Sequence, residues 1–118
     1  MHMSTKHQQL PLLLKALTTA LRAINLWQNK RPSNFALAST EPFCVDTLSF
    51  AQWLQFIFIE KMQKMLTKNL ALPTQIALSP MAEEAFKEKA DTAAELINVI
   101  ADIDELLSGQ REQRLYVR

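Results

Sequence analysis

The sharpest chemical feature of this chain is one lysine set into an apolar helix face. At about 100° per residue, the stretch 49–66 (SFAQWLQFIFIEKMQKML) spreads Phe50, Trp53, Leu54, Ile57, Phe58, Ile59, Met62, Met65 and Leu66 over about 220°. Lys61 falls near the middle of that arc, among Phe50, Leu54, Ile57 and Met65. Two outcomes follow. The stem snorkels along apolar surface and the ammonium reaches water, or a desolvated ammonium pairs with a carboxylate or an anionic ligand. In the second case the chain binds a small ligand or anion through Lys61, with Gln55 or Glu41 beside it. Glu41 suits this role better than Asp46, because the helix from Ser49 to Lys61 already spans about 18 Å.

The remaining chemistry-bearing residues form no catalytic set. His2 and His7 sit together in a loose-looking N-terminal end, which removes a histidine-centred triad and an HExxH zinc site. Cys44 therefore has no basic partner and reads as a small semi-buried hydrophobe in a loop. Glu41 and Asp46 form a carboxylate pair on the same loop, a weak signal. Asp102 and Glu105 are one helical turn apart, too few oxygens for calcium. No metal, cofactor or catalytic residue is expected, and the chain reads as a non-enzyme. Trp53, Phe56 and Phe58 could stack bases, but they lie on a helix expected in the core rather than in a basic groove. Phe56 alone points away from the apolar arc, at about 240° on the same wheel. It either meets the long loop or forms an exposed apolar patch for a partner.

The elements that must position these residues are helices. The 118-residue chain suits one domain with a single core and holds one glycine, Gly109. That scarcity excludes Rossmann fingerprints, P-loops and tight hairpins, which need backbone at positive φ or close ligand approach. Cys44 is the only cysteine, which excludes an intrachain disulfide and suits a reducing cytoplasm. No run of about 18 uncharged apolar residues occurs, so no membrane span is expected. Leu10–Leu14 is short and broken by Pro11, unlike a signal peptide. The net charge of +1 hides an asymmetry: residues 1–40 carry five Lys/Arg and no acid, whereas 81–108 carry eight acids against Lys87 and Lys89. Either a basic first helix lies beside an acidic last one, or Lys15, Arg22, Lys30, Arg31 and the arginine tail form an RNA face.

Leu10, Leu14, Leu17, Leu21 and Ile24 predict a first helix over 8–29, with Pro11 confined to its first turn or just inside it. The segment 32–48 lacks any sustained period and carries apolar anchors, so it is an ordered loop or hides a short helical turn. Ser49 with Gln52 forms a capping box, and Asn69 is a plausible stop. Ser79-Pro80 opens a third helix. Asp91 caps a fourth, which buries Ala93, Leu96, Ile97, Ile100, Ile103 and Leu107 and ends at Gly109. Asp102, Asp104 and Glu105 oppose the dipole at its carbonyl end, which calls for cations such as Arg111 and Arg114, or Lys15 and Arg22, nearby.

The block Ser39-Thr40-Glu41-Pro42-Phe43, Asp46-Thr47, Trp53-Leu54-Gln55, Met62 and Leu72-Pro73, with Trp27 before it, resembles the YqcC-like family of small helical bacterial proteins. The resemblance spans 7–107 and is specific between 39 and 73. It implies a four-helix bundle and no established activity; genes of the family often neighbour one for a tRNA pseudouridine synthase. The combined expectation is an all-α, antiparallel four-helix bundle over 7–108 with a long ordered loop between helices one and two. The stretch 109–118 is read as an exposed C-terminal tail. The 49–66 helix is the expected inner pillar. The leading functional expectation is a cytoplasmic protein-interaction or accessory module using Glu41, Asp46, Thr47, Trp53, Gln55, Phe56 and Lys61. Its partner is an unknown protein, with RNA or a tRNA-modifying enzyme as the alternative.

Overall fold

A computed structural model describes residues 5–114, and every regular element among them is helical. The order is α1 (Thr5–Ala23), α2 (Asn34–Leu37), a 3-10 turn (Pro42–Cys44), α3 (Phe50–Trp53), a π-helical turn (Leu54–Phe58), α4 (Ile59–Thr67), α5 (Ser79–Ala85), a second 3-10 turn (Lys87–Lys89) and α6 (Ala94–Ser108). The chain is all-α among the described residues.

Termini explain where the helices stop. Asn25 takes φ 60°, its N–H donates to the Arg22 carbonyl, and the Leu26 N–H donates back to Leu21. This Schellman closure ends α1 well before residue 29, because asparagine tolerates the left-handed region where most residues do not. Asn69 repeats the device: φ is 52°, and Leu70 N–H donates to Met65. Gly109 closes α6 at φ 80°. Ser49 and Gln52 complete the expected capping box, with Ser49 N–H donating to Gln52 Oε1 at 2.8 Å. The N-cap of α6 is Ala93 rather than the expected Asp91. Pro11 lies in the second turn of α1, where it has no backbone N–H to donate. His7 belongs to that helix rather than to a loose end, and its Nε2 donates to the Leu70 carbonyl at 2.8 Å; His2 lies outside the described residues.

The core forms where α1 lies along α6. Leu10, Leu14, Leu17 and Leu21 are all buried, as the seam required. The 50–67 rod, the expected inner pillar, buries Phe50, Ala51, Leu54, Gln55, Phe56, Phe58, Ile59 and Met62, but from Gln63 to Thr67 it is half-buried or exposed. The more enclosed pillar is α6, whose residues 96–101 are buried without interruption. Apolar side chains on every side of a helix mean protein on every side. Here α1 covers one flank of α6 and α5 another. The start of α1 meets the end of α6, where Lys6 Nζ donates to the Leu107 carbonyl at 2.9 Å and opposes the negative pole of the helix.

The described part of the expected tail also lies on this pillar. Arg111 folds back to Asp102 (2.8 Å) and Glu105 (3.2 Å), which supplies one of the cations the carbonyl end demanded. Gln113 is buried and its Nε2 donates to Asn98 Oδ1 at 3.0 Å. Of the expected exposed tail, Gly109, Gln110, Glu112 and Arg114 are exposed, whereas Arg111 and Gln113 lie against α6; residues 115–118 lie outside the described residues. The polar side of α6 needed these partners, since a buried amide left alone costs about 1–3 kcal/mol.

Asp104 is the other polar group of the pillar. It is fully buried and accepts three bonds of 2.8 Å, from Leu78 N–H, Ser79 N–H and Ser79 Oγ. The carboxylate thus satisfies the first amides of α5, whose own N-cap offers no side-chain bond. Burial pushes its pKa above the ordinary carboxylate value, against the lowering pull of the Leu78 and Ser79 bonds, and the charge of Glu112 adds to the rise. Asp104→Ala should cost about 2–4 kcal/mol in urea unfolding, because it strands those donors. Because the folded state takes up this proton before the unfolded chain does, acidification toward the unfolded carboxylate pKa should stabilise the wild type relative to Asp104→Asn. Parallel urea titrations from neutral pH downward measure both; a wild-type stability that falls relative to Asp104→Asn on acidification contradicts the assignment.

Candidate functional site

The loop before α3 is ordered by its own small polar side chains. Ser33 caps α2 through Ala36 N–H at 3.1 Å, and Thr47 Oγ1 donates to the Ala36 carbonyl at 2.7 Å. Ser39 Oγ donates to Asp46 and accepts from Glu41 N–H at 3.1 Å. Side chains of this kind replace a ladder when a segment has no period of its own. Phe43 and Cys44 both take left-handed backbone, at φ 57° and 50°. Such residues cost on the order of 1–3 kcal/mol each. The Phe43 ring offsets part of this by packing edge-on against Trp53 (4.9 Å) and Phe50 (5.7 Å). Trp53 also stacks on Phe50 and Phe58, each at 5.7 Å.

This loop decides the roles of four expected site residues. Asp46 and Thr47 hold the loop's shape, and Trp53 anchors it to the core. Glu41 is exposed at its tip. The loop also displays Phe35, 84% exposed, and Val45, 60% exposed. Both were legible only as apolar anchors, and neither anchors anything.

The second constellation comes from the π turn. Ile59 N–H donates to the Leu54 carbonyl, five residues back. One extra residue in a turn rotates everything after it by about 100° against a uniform wheel. Phe58, Ile59 and Met62 swing into the core, and Lys61 swings out. The desolvated Lys61 is thereby corrected: its side chain is exposed, and no apolar ring surrounds it.

The same turn carries Gln55 and Phe56 under the 24–31 connection. Gln55, buried, accepts from Gln28 N–H at 2.9 Å and donates to the Gln28 carbonyl at 2.7 Å, and Gln52 reaches the Gln28 side chain. Phe56 is buried too, outside the main core, with the Arg31 guanidinium 5.9 Å from its ring. An exposed Phe56 patch is corrected accordingly; the connection covers it. Arg31 also pairs with Glu60 at 2.7 Å, and Arg22 lies 4.8 Å over the Trp27 ring. Trp27, Gln28, Arg31 and Glu60 border a cleft of about 540 Å³ that Gln55, Phe56 and Ile59 also line.

The sequence and the overall fold resemble those of known proteins. The family model described as tRNA pseudouridine synthase C matches residues 9–106. An uncharacterized protein of Haemophilus influenzae is 41% identical over 96 residues, 81% of this chain and 90% of that one. The uncharacterized protein YqcC of Escherichia coli K12 is 31% identical over 104 residues, covering 88% and 95%. The chain belongs to the YqcC-like family. The solution NMR structure of Escherichia coli YqcC matches this fold with a TM-score of 0.79 at 29% identity, over 94% of this chain and 95% of that one. A tRNA pseudouridine synthase C of Pectobacterium carotovorum is 44% identical over 54 residues, which is 46% of this chain and 14% of that one.

Among the described residues of this YqcC-like chain no three His, Cys, Asp or Glu side chains gather as a metal site. Sequence reasoning missed Asp104, Asn98 and Gln113. Asp104 had a signal, since it lies on the core face between Ile100 and Leu107, yet it was counted only as a charge against the dipole. If Gln55 is the peg that fixes the 24–31 connection, Gln55→Leu should cost about 1–3 kcal/mol and speed amide exchange at Gln28. Lys61→Met, its exposed neighbour on the rod, should stay within about 0.5 kcal/mol of wild type. Urea unfolding with hydrogen exchange by NMR reads all three; a large loss for Lys61→Met would restore a buried ion pair.

Proposed function

We propose that this chain is a non-enzymatic accessory module that docks onto a tRNA pseudouridine synthase through its 33–48 loop. The observation that carries this is the display of Phe35 and Val45, 84% and 60% exposed, on a loop that Ser33, Ser39, Asp46 and Thr47 hold in one shape. Large apolar side chains on a preorganised segment lose little entropy on binding and make effective anchors. The nature of the partner is supported by the Pectobacterium chain, where a segment like this one is part of a protein named tRNA pseudouridine synthase C. Two units on one polypeptide meet at high effective concentration, so separate copies need a surface for the same encounter.

Non-enzymatic action accords with the use of the buried, shifted carboxyl, Asp104, as a helix cap. The proposal includes a cytoplasmic location, in keeping with the free, buried Cys44. It also includes an antiparallel four-helix arrangement of α1, the 50–67 helix, α5 and α6, supported by the Lys6–Leu107 bond between the ends of α1 and α6. Anion binding at Lys61 loses its support, because the ammonium is exposed.

Calorimetric titration of the chain into the synthase of the same organism tests the proposal. A stoichiometric complex is expected, weakened roughly tenfold to hundredfold by Phe35→Ser with Val45→Ser. An unchanged thermal midpoint in that variant shows the loss to be one of contact. No heat of binding, or equal affinity in the variant, contradicts it.

A further inference from the structure

We propose that the groove between α1 and α4 binds single-stranded RNA. The cleft beside the π turn continues into a second depression of about 280 Å³; the two share Thr18 and Gln63, giving one groove from Pro11 to Arg31. Lys15 and Arg31 line it near its two ends, and Arg22 lies 4.8 Å over the ring of Trp27, another lining residue. Lys64 follows Glu60 by one turn of α4. All four cations are exposed. Glu60 is the single acid lining the groove, and Arg31 already neutralises it at 2.7 Å. The eight acids of 81–108 belong to the α5–α6 region, so the charge asymmetry of the sequence becomes an asymmetry between faces.

A basic groove alone would suit any polyanion; its aromatic lining narrows the choice. The Arg22 guanidinium, stacked over half-buried Trp27, offers a planar cationic platform, and the amides of Gln28, Asn29 and Gln63 line the same groove. Unstacked bases bind to such surfaces through a ring or guanidinium face and an amide at the base edge. A duplex hides those faces, and an acidic peptide uses the cations but not the platform. The inference concerns a face other than the 33–48 loop and does not rest on docking there.

The test is fluorescence anisotropy of the full chain with a labelled 12-nucleotide oligouridine. Contacts to three or four phosphates should weaken binding about 20–50-fold between 50 and 200 mM salt. An abasic oligomer of equal charge should bind the wild-type chain at least about fivefold more weakly, since stacking is lost. Lys15→Gln with Arg22→Gln and Lys64→Gln should lower affinity at least about tenfold at low salt. Absence of binding at 50 mM salt overturns the proposal. So does equal affinity for the abasic oligomer, or displacement by a poly-glutamate peptide as efficient as displacement by unlabelled RNA.

Discussion

One backbone hydrogen bond decides which face of the 50–67 rod meets the core. Because the Ile59 N–H reaches past Gln55 to the Leu54 carbonyl, the rod from 50 to 67 changes face midway. Before the turn, Phe50, Ala51 and Leu54 meet the core; after it, Phe58, Ile59 and Met62 do. A uniform helix would have kept Lys61 on the inner side and left Gln55 without the Gln28 backbone. A π turn costs helical hydrogen-bond geometry, and such turns persist where side chains gain by the shift. Here the gains are two amide bonds to Gln28 and the burial of Phe56.

The rest of the molecule is arranged around α6. A helix buried on nearly all sides needs partners for each polar group it carries. Asp104 meets the amides at the start of α5, Asn98 meets Gln113, and Asp102 meets Arg111. Among the described residues no buried side-chain nitrogen or oxygen is left without a partner. The segment 110–114 is therefore structural, although its composition reads as a solvated tail. Its polar side chains complete a network that no local pattern announces.

How much was legible follows from which signals are local. The capping box at Ser49, the stops at Asn69 and Gly109 and the Leu10–Leu21 seam depend on neighbours within a few residues, and each is present in the structure. Asn25 was available as a stop by the same logic as Asn69, but Trp27 beyond it carried the apolar pattern onward and extended the expected helix. The inward position expected of Lys61 was wrong because an arc counted at constant pitch cannot register an inserted residue. The exposure of Phe35 and Val45 was hidden for the opposite reason: in a loop without period, an apolar side chain gives no sign of which way it faces. Asp46 and Thr47, expected in an interaction surface, instead order the loop through bonds to Ser39 and to the Ala36 carbonyl.

The most direct test is of the bond that turns the rod. At 13.5 kDa the chain suits long-range carbonyl NMR experiments that detect couplings across hydrogen bonds. The expected result is a coupling from the Ile59 amide nitrogen to the Leu54 carbonyl carbon. A coupling from Ile59 to the Gln55 carbonyl would mean an uninterrupted α-helix, with Lys61 turned inward, and would contradict the face-switching rod and the groove beside it.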